Sequence, residues 1–374
     1  MKPTLDTPPR LLSLDVLRGL TVIGMIVVNA SAGLQYGGQF EVYPQLLHSR
    51  WIGVTLADLV FPAFLMIVGV SIPLAVGADA APPKSHQVRA AAGRTARLFL
   101  LGLILSNLFW FQTLAEPGWR FWGVLQRIGL VYAACVLLFL YTGPKARLAV
   151  AMSIPVLYWP LSLLPPLDGG ATDLGRSGVN FIASIDRLTL GDHNYVKGPS
   201  GYDPEGLIGT FPAIAHGLIG VLIGEFLLKR RGPRAAGQLA AAGLAMLAAG
   251  LAWSLAFPVI KDIWSSSFVL VTCGLTTIIL AILHGALDRP EPSRGALTLL
   301  TAVAVPFGIN AIAAYILHAL AGPMVGWRLL LAPAERMQPL IGDQTAALTP
   351  VLLFTAAIWL CMAYLRDRRW VVRI

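Results

Sequence analysis

The sequence predicts an all-α integral membrane protein of about ten transmembrane helices, with N- and C-termini cytoplasmic. Three observations lead there. Apolar runs of about 20 residues, the length a helix needs to cross a bilayer core, recur along the whole chain of 374 residues. Only 13% of residues are charged and mean hydropathy is +0.70. Basic residues gather in alternate links between the apolar runs, as they do on the cytoplasmic side of a membrane protein.

Spans are predicted over 14–33, 54–77, 94–112, 121–141, 147–164, 207–228, 236–256, 265–287, 297–321 and 348–366. The link over 78–93, with Pro82-Pro83, and the link Lys229-Arg230-Arg231-Gly232-Pro233-Arg234 are basic and turn-rich. With the N-terminus inside, nineteen of the 28 basic residues fall on the cytoplasmic side, from Lys2, Arg10 and Arg18 through Lys84, Arg231, Arg289 and Arg294 to Arg373. The segment 165–206 is then external. It carries five aspartates against Arg176, Arg187 and Lys197, and it ends in Tyr202-Asp203-Pro204-Glu205-Gly206, where proline and acids suit a helix entry. At about 40 residues it is too short for a core of its own, so residues 1–374 read as a single polytopic transmembrane domain with one sizeable external loop.

A cleaved leader over residues 1–32 is the rival to the first span, because Ala30-Ser31-Ala32 resembles a cleavage site. The run is long for a leader, Asp15 sits in its front, and cleavage would reverse the charge bias. The formal charge of +9 is a loop property here rather than a sign of nucleic-acid binding. Cys135, Cys273 and Cys361 lie in separate spans with no Cys/His ligand spacing, so no metal is expected. No phosphate-cradling Gly-rich loop, Gly-x-Ser-x-Gly turn or Ser-x-x-Lys spacing appears.

Polar residues at membrane depth carry the functional signal, because an ionisable group there is expensive. His48 and Asp58 stand in and just after the short link between the first two spans. The bland reading of His48 is an interfacial imidazole beside Trp51. The chemical one is a base that titrates near neutrality, with its tautomer fixed by Asp58. Asp15, Arg18 and Asn29 fall on one side of the first helix, the first two as a candidate ion pair. Asn29, near the outer end, could lock a neighbouring helix or aim its amide at a carbonyl. Gln126, Arg127, His216, Lys261, Asn310 and His318 add to a polar cavity expected to open outward.

These stretches resemble the heparan-alpha-glucosaminide N-acetyltransferase family of integral membrane acetyltransferases. The resemblance lies in Ser13-Leu14-Asp15-Val16-Leu17-Arg18-Gly19-Leu20, Val28-Asn29, His48-Ser49-Arg50-Trp51-Ile52-Gly53-Val54-Thr55, Ala57-Asp58-Leu59-Val60-Phe61-Pro62, Gly123-Val124-Leu125-Gln126-Arg127, Tyr202-Asp203-Pro204-Glu205-Gly206, Lys261-Asp262-Ile263-Trp264-Ser265, and Asn310 with Tyr315 and His318. It implies transfer of an acetyl group from cytosolic acetyl-CoA to the amine of a glucosamine unit across the membrane. His48 matches the family's active histidine and Asn29 its neighbouring asparagine.

On that footing His48 is expected as general base, Asp58 as its orienter and Asn29 as oxyanion donor. Arg18, Arg94, Arg97 and Arg127 are expected to serve the CoA nucleotide, and Asp203, Glu205, Lys261, Asn310 and His318 the acceptor. An acetyl-histidine intermediate stays open against direct transfer. The link from Asn29 to His48 is longer than the family's, and no large N-terminal extramembrane domain precedes the first helix. A small amino sugar or cell-envelope glycan is therefore expected as acceptor, with the bilayer as the other partner, a homodimer left open, and a bacterial inner membrane as location. The competing class is a transporter of amino sugars or acyl groups that uses the same cavity without chemistry; the lack of an internal repeat weighs against it.

Overall fold

The computed structural model describes residues 11–77, 85–108, 118–230, 232–288, 295–324, 327–372 and 374. Lys2, Arg10, Lys84, Arg231, Arg289, Arg294 and Arg373 of the charge count, the Pro82-Pro83 turn and the end of the span predicted over 94–112 lie outside these residues.

Thirteen helices are described, in the order α1 (Leu12–Tyr36), α2 (Leu56–Val76), α3 (Ser85–Asn107), α4 (Val124–Tyr141), α5 (Pro144–Ser162), α6 (Phe181–Leu190), α7 (Thr210–Lys229), α8 (Pro233–Trp253), α9 (Ser266–Leu287), α10 (Ala296–Ile309), α11 (Ala311–Met324), α12 (Trp327–Ile341) and α13 (Asp343–Asp367). Seven of them, α1, α2, α4, α7, α8, α9 and α13, are long and apolar enough to cross a membrane. The count reaches eight if α10 and α11, bent by 81° at Asn310, make one broken span. α3 and α5 match the spans predicted over 94–112 and 147–164 as helices. Neither is among the seven in its described residues.

Helices close on one another where side chains are smallest. α2 crosses α7 so tightly that a Cβ at Gly69 would lie 2.0 Å from the Gly217 carbonyl oxygen, and one at Gly220 would lie 2.2 Å from that of Met66. Packing of this kind holds helices together where water supplies no hydrophobic drive. The break at Asn310 follows Pro306, which lacks an N–H and disturbs the helix around it. The freed Asn310 side chain grips the C-terminal segment: Nδ2 donates to the Trp370 carbonyl at 3.1 Å and Oδ1 accepts from Val372 N at 3.0 Å.

The connecting segments sort to two ends of the bundle. At one end the link after α1 meets the link before α9, with Ile52 bridged to Ile260 and Gly53 N donating to the Val259 carbonyl. The long loop between α5 and α7 folds over them: Trp51 Nε1 donates to the Leu174 carbonyl at 2.8 Å, and the Trp51 and Tyr202 rings meet edge to face. Asn180 caps α6 within this loop by accepting from Ala183 N. At the opposite end Arg18 reaches Asp15 and Ser71, and Asp288 accepts from Ser13 and faces His284.

Candidate active site

Asp58 is the fixed point. It is the third residue of α2, and with Thr55 it forms a reciprocal cap. Its Oδ2 accepts from the backbone N–H of Ser49 and Thr55, each at 3.0 Å, and from Thr55 Oγ1 at 3.1 Å. These donors lock the carboxylate, which is fully buried, so that Oδ1 faces His48 Nδ1 at 2.8 Å and Lys261 Nζ at 3.5 Å. His48 is half-exposed. With Nδ1 against a carboxylate, the ring carries its proton there and leaves Nε2 able to accept another.

Lys261 is delivered by a short segment held under tension. Ser265 Oγ accepts from Ile260 N at 3.0 Å and from Phe268 N at 3.3 Å, which ties the segment to the start of α9. Between them Trp264 adopts φ +55°, rare for a bulky residue, and is wholly buried. Its ring lies 4.9 Å under the Arg127 guanidinium. Arg127 is also wholly buried and donates from Nη2 to the Gly206 carbonyl at 3.1 Å.

The loop before α7 adds acids. Arg120 pairs with Asp203 at 2.8 Å and with Glu205. Burial works against the Glu205 charge, but Arg120, Arg127 and Lys261 hold its carboxyl below the usual range. Burial raises Asp203 against the pull of Arg120. Asp186 accepts from Asp203 N and Leu207 N, and burial followed by the charge of Asp203 pushes it up to about 7. Tyr202 donates to Asp262 at 2.8 Å. Burial, then the Asp262 charge, raises the Tyr202 phenol.

A cavity of about 140 Å³ lies inside the bundle, and Asn29, His48, Glu205, Lys261 and Tyr315 face onto it. The Asn29 amide makes no hydrogen bond among the described residues. A second cavity, of about 390 Å³, opens at the opposite end beside Arg18, Arg94, Tyr132 and the C-terminal Val371 and Val372. The two share the side chains of Phe64, Leu125, Ile128, Ala311 and Ile312, so they lie end to end along the bundle. Asn29 and Arg18 mark their far ends on α1, eleven residues or about 16 Å apart.

Residues 10–186 match the family described as heparan-alpha-glucosaminide N-acetyltransferase, catalytic. The human heparan-alpha-glucosaminide N-acetyltransferase is 30% identical over an alignment covering 83% of this chain and 53% of the human protein. The mouse protein is 29% identical over the same shares. Over residues 10–186 the chain is similar to the heparan-alpha-glucosaminide N-acetyltransferase family. It spans about half the length of these curated relatives.

In this chain the fold brings His48, Asn29, Glu205 and Lys261 to one cavity, with Asp58 behind His48 and Asp203 paired with Arg120 beside Glu205. Arg18 and Arg94 border the opposite cavity, while Arg97 is exposed and faces neither. Arg127, grouped with them in the sequence, instead meets Gly206 and Trp264 at the His48 end. Asn310 holds the C-terminal segment, and His318 faces a further cavity beside Asn29. Sequence reasoning passed over Arg120 and Asp186. Arg120 follows Trp119 at a predicted external helix entry, and an arginine there facing an acidic loop was the available signal. No metal-binding group of three His, Cys, Asp or Glu occurs among the described residues.

Proposed function

We propose that this chain is a transmembrane acetyltransferase that moves the acetyl group of cytosolic acetyl-CoA to the amine of a glucosamine-type sugar on the far, periplasmic side. The single observation that carries the reading is the His48–Asp58 pair beside a cavity that shares its walls with the one bordered by Arg18 and Arg94. The relatives' names supply the reaction class. The ten-span topology with cytoplasmic termini, in a bacterial inner membrane, is part of the proposal.

Joined end to end, the two cavities would suit an extended thioester. Arg94 and Arg18 at the inner mouth are cations for the nucleotide phosphates, and the shared apolar walls would receive a slender arm. Acetyl-CoA supplies an activated carbonyl. At the outer end His48 Nε2 accepts the proton lost as the sugar amine forms its bond to that carbonyl carbon. Asn29 offers its free N–H₂ to the developing oxyanion. As the C–S bond breaks, the departing thiolate takes up a proton, which the His48 imidazolium can return. Asp58 holds the ring and stabilises that imidazolium. Glu205 and Lys261 line the same cavity and are the groups that meet the acceptor.

The test is radiolabelled acetyl transfer by purified protein in detergent to a panel of amino sugars. Labelled N-acetyl product that depends on His48 is the expected result. Uptake of amino sugar into proteoliposomes with no N-acetyl product would make the protein a carrier and overturn the reading.

A further inference from the structure

Asn29 borders a third cavity, of about 380 Å³, that His48 does not reach. It lies between the end of α1, α11, α12 and α13 and is within the size range of ligand sites. Three polar side chains face it without a hydrogen bond among the described residues: the Asn29 and Gln39 amides and His318, whose Nδ1 is buried. Hydrocarbon would strand the buried His318 Nδ1, whereas the exposed Asn29 and Gln39 amides are open to a polar occupant. None of the lining residues is charged, so an anionic group would find no counter-ion there. Trp327 forms an aromatic wall whose orientation is fixed by Nε1 donating to the Gly322 carbonyl at 2.7 Å.

The space is left open by missing side chains. Gly33 and Gly322 both line it, and a Cβ at either would meet nothing within 4 Å. This differs from Gly69, where backbone contact forbids a side chain. A glycine inside a helix is less stable there than alanine, and at neither of these two does closer packing offset that cost.

A neutral, hydroxyl-rich ring that can lie on an aromatic face and exchange hydrogen bonds with amides and an imidazole is a sugar. We propose that this cavity is a second acceptor subsite, which holds the uncharged sugar linked to the glucosamine whose amine lies before His48. The inference rests on the acetyltransferase reading and deepens it: the acceptor is a glycan of at least two units, and the neighbouring unit is neutral.

Three acceptors separate the outcomes: glucosamine, glucosaminyl-N-acetylglucosamine, and glucosaminyl-glucuronate. Acetyl transfer and calorimetric binding are measured for each with the full chain and with Gly33→Leu, which fills the cavity from an unstrained helical position. Wild-type protein is expected to show a KM about tenfold lower for the neutral disaccharide than for glucosamine, and no such gain for the uronate-linked one. Gly33→Leu is expected to abolish the gain and leave glucosamine kinetics unchanged. Equal KM for glucosamine and the neutral disaccharide in wild type would overturn the subsite, as would equal losses for both acceptors in Gly33→Leu. Binding of the neutral disaccharide that is weakened by Gly33→Leu, with no transfer to any acceptor, would overturn the acetyltransferase reading and retain the subsite.

Discussion

Asp58→Asn tests the proposed chemistry with the least disturbance of shape. In the native site one carboxylate oxygen serves the Ser49 and Thr55 backbone N–H groups and the other serves His48 Nδ1 and Lys261. An asparagine must turn its carbonyl toward the two backbone donors, because its N–H₂ cannot accept from them. The N–H₂ then faces His48 Nδ1 and forces that nitrogen to accept, so the proton moves to Nε2. The ring keeps its position and loses its basic atom. The same wrong-tautomer substitution costs about 10⁴ in serine proteases, and general-base catalysis is typically worth about 10² to 10⁴. Turnover is therefore expected to fall by about 10² to 10⁴, or about 2.7–5.4 kcal/mol at 1.36 kcal/mol per decade. The assay is steady-state acetyl transfer at saturating acetyl-CoA, with thermal unfolding as the check on folding. The Asp58→Asn, His48→Ala double variant should be no slower than His48→Ala alone, because the two residues act as one unit. A folded Asp58→Asn protein that turns over within about threefold of wild type would refute the reasoning.

His48→Ala should lower turnover at least about 100-fold with acetyl-CoA binding retained. Arg94→Ala should weaken acetyl-CoA binding about tenfold or more by calorimetry, the worth of one charged hydrogen bond, while acceptor KM stays unchanged. Asp186, whose carboxyl is raised by burial from an unfolded value of 3.8 to about 7, favours the fold fully below about pH 4 and loses that contribution as pH rises through 7. Asp186→Asn should therefore flatten the fall in melting temperature between pH 5 and pH 8. A cysteine at Ser177, exposed in the α5–α7 loop, should react with an impermeant reagent from outside, and a reporter after Ile374 should be cytoplasmic. Opposite labelling at either site would reverse the proposed orientation.

Residues that declare themselves by depth were legible in the sequence. His48, Asp58 and Asn29 stand beside apolar runs where charge or an amide is costly, and hydropathy alone draws attention to them. What ties His48 to Asp58 is also local, since Thr55 and Asp58 have capping spacing that fixes the carboxylate at the start of α2. Arg120, by contrast, finds its partners 83 and 85 residues away, and no periodic pattern joins a helix entry to a loop that far along the chain. The role of Asn310 was hidden for a related reason. Its depth was plain, but its amide is occupied by a backbone 60 residues downstream, and Pro306 was the one cue that the helix breaks there.

The contrast follows from how the surroundings of the two cavities are built. The Arg18 end rests on helix faces and the segment after α13, so most of it can be projected from helical periodicity. The His48 end is assembled from three links, those after α1, before α7 and before α9, and each is anchored to another by backbone or buried polar contacts. A group held from several directions keeps its geometry when the lipid-facing helices shift. The proposed acetyl transfer needs that rigidity, because a base displaced by about 1 Å loses much of its rate advantage. Trp264, strained in the left-handed region and wedged between Arg127 and Phe268, is the residue on which that assembly turns.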